Sequence, residues 1–136
     1  MSIYLKYMLS LRRETDYAIQ LLKILARRKG LISLNEVAET TGLSFLFLQK
    51  IARKLRQHKI IKAGHGVNGG YCLAVSPKSL NLKQIVMAVE GGCLLMPCAG
   101  EKTGSCAKKS CALKPKIKKI NEQVIKLLTK IKLSQL

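Results

Sequence analysis

The sequence predicts a mainly α fold with one small β-hairpin, and three observations carry that expectation. Apolar residues recur at helical spacing through most of the chain. A glycine-rich stretch from Gly64 to Gly70 separates two short runs with strand character. The carboxy-terminal segment repeats apolar residues at alternating spacings of four and three. At 136 residues the chain can bury one modest core and carry one appendage.

Each element has a local reason. Thr15 is the expected N-cap of the first helix, with Asp16 at the positive end of its dipole, and Ala18, Ile19, Leu22, Leu25 and Ala26 give it an apolar face that Gly30 terminates. Ser33 and Glu36 form an S-x-x-E capping box for a second helix reaching Thr41, closed by Gly42. Ser44 caps a third helix. Its buried face is Leu48, Ile51, Ala52 and Leu55, and Lys50, Arg53, Lys54 and Arg56 crowd the other side. Two helices joined by the tight turn Thr41, Gly42, Leu43 make a helix-turn-helix. The run beginning at Ile60 and Ile61 and the alternation of Tyr71, Leu73 and Val75 then read as a hairpin in the place of a wing.

A fourth helix leads into a loop from Gly91 to about Ser110. The last helix, from about Ala112, carries Leu113, Ile117, Ile120, Val124, Leu127 and Ile131 as a coiled-coil seam. A second copy of the same helix is the economical partner for that seam, and packing on its own body is the alternative. The expected architecture is therefore a winged helix-turn-helix over residues 11–80, a helix and cysteine-containing sensor loop over 81–111, and a dimerisation helix over 112–136. In a homodimer, two recognition helices roughly 34 to 36 Å apart would read a pseudo-palindromic operator in successive major grooves.

Charge points to the partner. Lys and Arg number 25 against 7 Asp and Glu, a formal net charge of +18, and such an excess favours a polyanion. With 48% hydrophobic residues the charge sits on a folded body rather than a disordered tail. Between Glu39 and Glu90 there is no acidic residue, so the third helix and hairpin are the most one-sided segment of the protein. Double-stranded DNA is the expected partner. No window approaches the roughly 20 apolar residues a membrane span needs, so a cytoplasmic protein without membrane attachment is expected. No Ser/His/Asp or Cys/His arrangement suggests catalysis, so neither an enzyme nor a small-molecule substrate is expected.

In a reducing compartment Cys72, Cys93, Cys98, Cys106 and Cys111 stay thiols. Four of them fall in the nineteen residues from Cys93 to Cys111, which points to a metal or redox site. Cys72, beside Tyr71 in the second strand, reads as a packing thiol. Iron-sulfur, zinc and bare thiols all remain open from the spacing alone.

The strings TDYAIQLLKILA, ISLNEVAETTGLSFLFLQKIARKLRQHKII, HGVNGGYCLA and LKQIVMAVEGG, followed by three spaced cysteines, resemble the Rrf2 family of bacterial winged-helix regulators. The likeness runs from about Leu11 to the end, so the natural start is expected at Met1 or near Met8. It implies a transcription regulator of the IscR and NsrR type, a homodimeric repressor or activator sensing iron-sulfur, nitric oxide or redox status. It further implies a [2Fe-2S] cluster held by Cys98, Cys106 and Cys111, with Asp16 matching the aspartate that some members supply from the other subunit. Cys93 is the less favoured fourth ligand. Three thiolates and a carboxylate leave such a core with about two negative charges, and Lys102, Lys108, Lys109 and Lys114 lie close in sequence to offset them.

For DNA, the resemblance points to Ser44, Gln49 and Lys50 as base contacts, with Phe47 against a thymine methyl, and the face of Arg53 and Lys54 adds phosphate contacts. In the wing, His65 stands where members insert an arginine into the minor groove, beside Asn68 and Gly69. A cluster-free regulator switched by thiol oxidation, zinc or a partner protein is the nearest alternative. A basic RNA-associated zinc protein is a more distant one.

Overall fold

The computed structural model describes residues 11–95 and 111–136. Within them the order is α1 (Arg13–Arg27), α2 (Leu34–Thr41), α3 (Phe45–Gln57), β1 (Ile61–Gly64), β2 (Gly70–Leu73), α4 (Leu82–Glu90) and α5 (Leu113–Lys130), then a 3-10 turn at Leu133–Gln135. Cys98 and Cys106 lie outside the described residues.

Helix ends follow their caps. Ser33 accepts from the Glu36 N–H at 3.2 Å, but the Glu36 carboxylate pairs with Arg28. Gly42 closes α2 at φ 72°, a left-handed conformation that costs glycine least. Ser44 then opens α3, accepting from Phe47 N–H at 3.5 Å. A full capping box of Asn81 and Gln84 starts α4. Thr15 departs from expectation. The N-cap of α1 is Arg12, and Thr15 lies wholly buried inside the helix. Its hydroxyl donates to Glu90 Oε1 at 2.6 Å, so a distant acceptor has replaced the local cap.

The hairpin pairs Ile61 with Leu73 through Gly64 with Gly70, antiparallel. Ile32, between α1 and α2, adds a further β-bridge to Tyr71, exchanging hydrogen bonds of 3.0 and 2.8 Å. That close approach explains Gly70, where a Cβ would stand 2.5 Å from the Ile32 carbonyl.

Leu21, Leu22 and Leu25 of α1 share one buried core with Leu48, Ile51 and Leu55 of α3 and Ile85 and Val89 of α4. Leu133 joins the same core. The last helix therefore ends at Lys130, and Ile131 of the expected seam lies beyond it. The chain there runs back along the start of α4, with Leu82 N–H donating to Ile131 O and Leu133 N–H to Leu80 O, both at 2.8 Å. On α5 the expected seam divides. Ile117 and Val124 are half-buried, whereas Leu113, Ile120 and Leu127 are 53%, 47% and 60% exposed.

Leu133→Ala is expected to lower unfolding free energy by about 2–5 kcal/mol, because it empties a fully packed site. Urea denaturation at fixed protein concentration measures this, and a loss below 1 kcal/mol on that scale would mean the terminal turn is peripheral.

Candidate nucleic-acid interface

Helix α3 stands with its first turn at the surface. Ser44, Leu46, Gln49, Lys50, Arg53 and Arg56 are all exposed on it, and Leu46, Lys50 and Arg53 form one stripe at helical spacing. Between α3 and β2 lies a cleft of about 560 Å³ lined by Leu46, Gln49, Lys50, Arg53, Arg56 and Tyr71. At the other flank Arg13 and Tyr17 of α1 face Ser44, Leu46, Phe47 and Lys50 across a second cleft. The wing tip presents His65, Val67 and Asn68 to solvent. Gly66 turns there at φ 110°, and Gly69 N–H donates to Gly66 O at 2.9 Å.

Two expected contacts have other work. Phe47 is half-buried, edge-on to Tyr17 with ring centroids 5.0 Å apart, and the Lys50 ammonium lies 5.8 Å from its ring centre. Lys54 is turned inward. Its ammonium donates to Glu14 Oε2 at 3.0 Å and to the Val89 carbonyl at 2.9 Å, binding α3 to α1 and to the end of α4. Lys50 reaches the other Glu14 oxygen at 3.2 Å while remaining exposed. Burial pushes the Glu14 carboxyl up, but the hydrogen bonds and charges of Lys54 and Lys50 outweigh it and hold the carboxyl below its ordinary value.

The start of the cysteine-bearing segment is held equally tightly. Glu90, the last residue of α4, accepts from Thr15 Oγ1 at 2.6 Å and from Arg12 N–H at 2.8 Å, placing a carboxylate at the amino end of α1. Five residues on, Leu95 N–H donates to the buried Asn121 side chain of α5 at 2.8 Å. Cys93, between these anchors, is half-buried. Desolvation pushes its thiol up, with Glu90 adding to the shift and Lys83 opposing it. Cys111 is half-buried just ahead of α5, and Asp16 is exposed on the first turn of α1, accepting from Gln20 at 3.1 Å. Among the described residues no three His, Cys, Asp or Glu side chains gather as a metal site.

Residues 11–136 match the Rrf2 family, described as iron-dependent transcriptional regulators. The chain belongs to the Rrf2 family. The NsrR regulator of Shouchella clausii is 32% identical over 94 residues, spanning 68% of this chain and 63% of that relative, so less than two thirds of its length is matched. Among solved structures, that of CymR, the global cysteine regulator of B. subtilis, is similar at TM-score 0.75 and 23% identity, covering 94% of this chain and 95% of that one. The T. potens IscR structure is similar at TM-score 0.71 and 26% identity, over 93% of this chain and 85% of that one. These likenesses establish the winged-helix architecture of this Rrf2 protein, whose family is described as transcriptional regulators. No described helix is long and apolar enough to cross a membrane.

Sequence reasoning passed over Glu14, Thr15, Glu90 and Asn121 as site residues. One signal was available for the acids. In a chain with only seven, each has a strong chance of an internal cation or N–H partner, and Glu14, Glu36 and Glu90 all have one.

Arg53→Ala and Arg56→Ala are each expected to weaken duplex DNA binding and to reduce the log-log salt slope by about 1. Lys54→Met should instead lower thermal stability with little change in that slope. Titration by fluorescence anisotropy at several salt concentrations, beside a thermal melt, separates the two outcomes.

Proposed function

We propose that this Rrf2 protein is a homodimeric, cytoplasmic transcription regulator that reads a pseudo-palindromic operator through α3 and the wing and whose affinity is set by the cysteine-bearing segment. Residues 11–80 supply the DNA-binding unit, 81–111 the sensor segment and 112–136 the dimer contacts, with Leu133 also serving the core. The observation that carries this reading is the double hold on the end of α4. Val89 O is bonded to Lys54 of the recognition helix, and Glu90 is bonded to Thr15 of α1.

The donor set of Cys98, Cys106, Cys111 and Asp16, three thiols and a carboxylate in a lysine-rich setting, has the chemistry to hold a [2Fe-2S] cluster. When bound, such a cluster supplies redox chemistry and a ligand set that oxidants or nitric oxide can break. Asp16 lies exposed in the first turn of α1, one residue from Thr15, so α1 carries both a candidate ligand and the anchor of α4. Any shift of the segment after Glu90 pulls on a helix end bonded to α1 and α3. A coupling of roughly 1 to 3 kcal/mol between sensor segment and DNA is typical of such linkage.

For the dimer, Leu113, Ile120 and Leu127 repeat at seven-residue spacing on the exposed side of α5, which supports pairing with a second copy.

Protein purified without oxygen should absorb in the visible and contain matching iron and acid-labile sulfide. Cys98→Ala, Cys106→Ala or Cys111→Ala should abolish the colour, and Asp16→Ala should make the cluster less stable. A colourless, iron-free protein after anaerobic reconstitution would leave a regulator switched by thiols, zinc or a partner. Ile120→Lys is expected to shift sedimentation toward the monomer and to weaken operator binding together, and unchanged sedimentation would remove α5 as the dimer contact.

A further inference from the structure

The first turn of the recognition helix shows a leucine more exposed than the Phe45 before it, where a regulator of this charge would be expected to show polar groups. Leu46 is 75% exposed on the first turn of α3, at the head of the stripe that continues through Lys50 and Arg53. It borders both clefts of the interface, the one toward β2 and the one toward α1. Phe47 points elsewhere, held edge-on by Tyr17 and beneath the Lys50 ammonium, so it offers no free apolar surface of comparable extent.

We infer that Leu46 is a specificity-determining residue that reads the C5-methyl group of a thymine in each half-site. This role of Leu46 rests on the proposed reading of DNA by α3. Residues of the first turn of a recognition helix are those that meet base edges in the major groove. On those edges the thymine methyl is the one apolar feature, and side chains read it by apolar contact rather than by hydrogen bonds. The occupant must also be a polyanion, because Arg13, Lys50, Arg53 and Arg56 line the clefts that Leu46 borders. A protein partner with an apolar face would leave those cations unmatched, whereas duplex DNA matches both features. Against a cytosine edge Leu46 would cover an amino donor it cannot satisfy, so the preference has a penalty as well as a gain.

Burying one methyl-sized group contributes about fourfold in affinity. The test begins with the full-length protein selecting a duplex from a random pool, after which each deoxythymidine of the selected site is replaced singly by deoxyuridine, which removes only the methyl. One symmetry-related pair of thymines should lose about fourfold per half-site on replacement. Leu46→Ala should bind the parent duplex more weakly and show no further loss on that replacement, while its thermal melt matches the unaltered protein. Should no replacement matter, or should Leu46→Ala remain as sensitive to deoxyuridine as the unaltered protein, the methyl reading is overturned while DNA recognition stands. Failure to select any duplex would overturn the DNA-reading role itself.

Discussion

The hydrogen bond from the buried Thr15 hydroxyl to Glu90 is the contact on which the arrangement of the three central helices depends. It joins the amino end of α1 to the carboxy end of α4, and the same carboxylate oxygen takes the Arg12 N–H. A carboxylate taken partly out of water needs such donors, and the positive end of a helix dipole adds a favourable field. Beside it, Lys54 spans from α3 to Glu14 on α1 and to the Val89 carbonyl on α4. The junction thus ties all three helices through polar groups at one end of an otherwise apolar core. Thr15 and Asn121 are the buried polar residues among those described, and both hold the stretch of chain that leaves α4. Apolar packing alone would allow that stretch to slide; directional bonds fix where it begins.

This junction divides the cations of α3 into two kinds. Lys54 is consumed by the fold, and Lys50 shares Glu14 while staying accessible. Arg53 and Arg56 remain on the outer face, free of the Glu14 cluster. A count of positive charge along the helix overstates what is offered to a phosphate backbone, because a lysine turned toward a half-buried carboxylate has already been neutralised. The same division gives the helix a mixed surface, with cations set around an apolar first turn. Phosphate attraction and base discrimination can then reside on different side chains of one helix.

The carboxy-terminal helix shows a comparable division of labour. Its Ile117 and Val124 are half-buried, and its exposed Leu113, Ile120 and Leu127 stand apart at seven-residue spacing. After Lys130 the chain turns back, bridges to the start of α4, and buries Leu133. If the exposed stripe of α5 pairs with a second copy, as proposed, the return of its end into the core would carry subunit position into the body that holds α3. Lys23 of α1 donates to the Leu136 carbonyl at 2.8 Å, which closes this return path on the same helix that carries Thr15.

Local chemistry made much of this legible in advance. Ser33, Gly42 and Ser44 cap the helices they were expected to cap, the tip from Gly64 to Gly70 turns the hairpin, and the apolar face of α3 is the one its spacing implied. Those features depend on neighbours within a turn or two, so the sequence alone determined them, together with the family and the strongly basic character. Tertiary structure decided the rest. Thr15 looked like a cap because its partner, Glu90, is 75 residues away, and Lys54 looked like a surface cation because Glu14 is 40 residues away. The Ile32 bridge and the return of Leu133 likewise involve single residues whose periodicity carries no signal. A hydroxyl or an ammonium bonds whichever acceptor the folded chain brings near, and only packing of the apolar faces determines which acceptor that is.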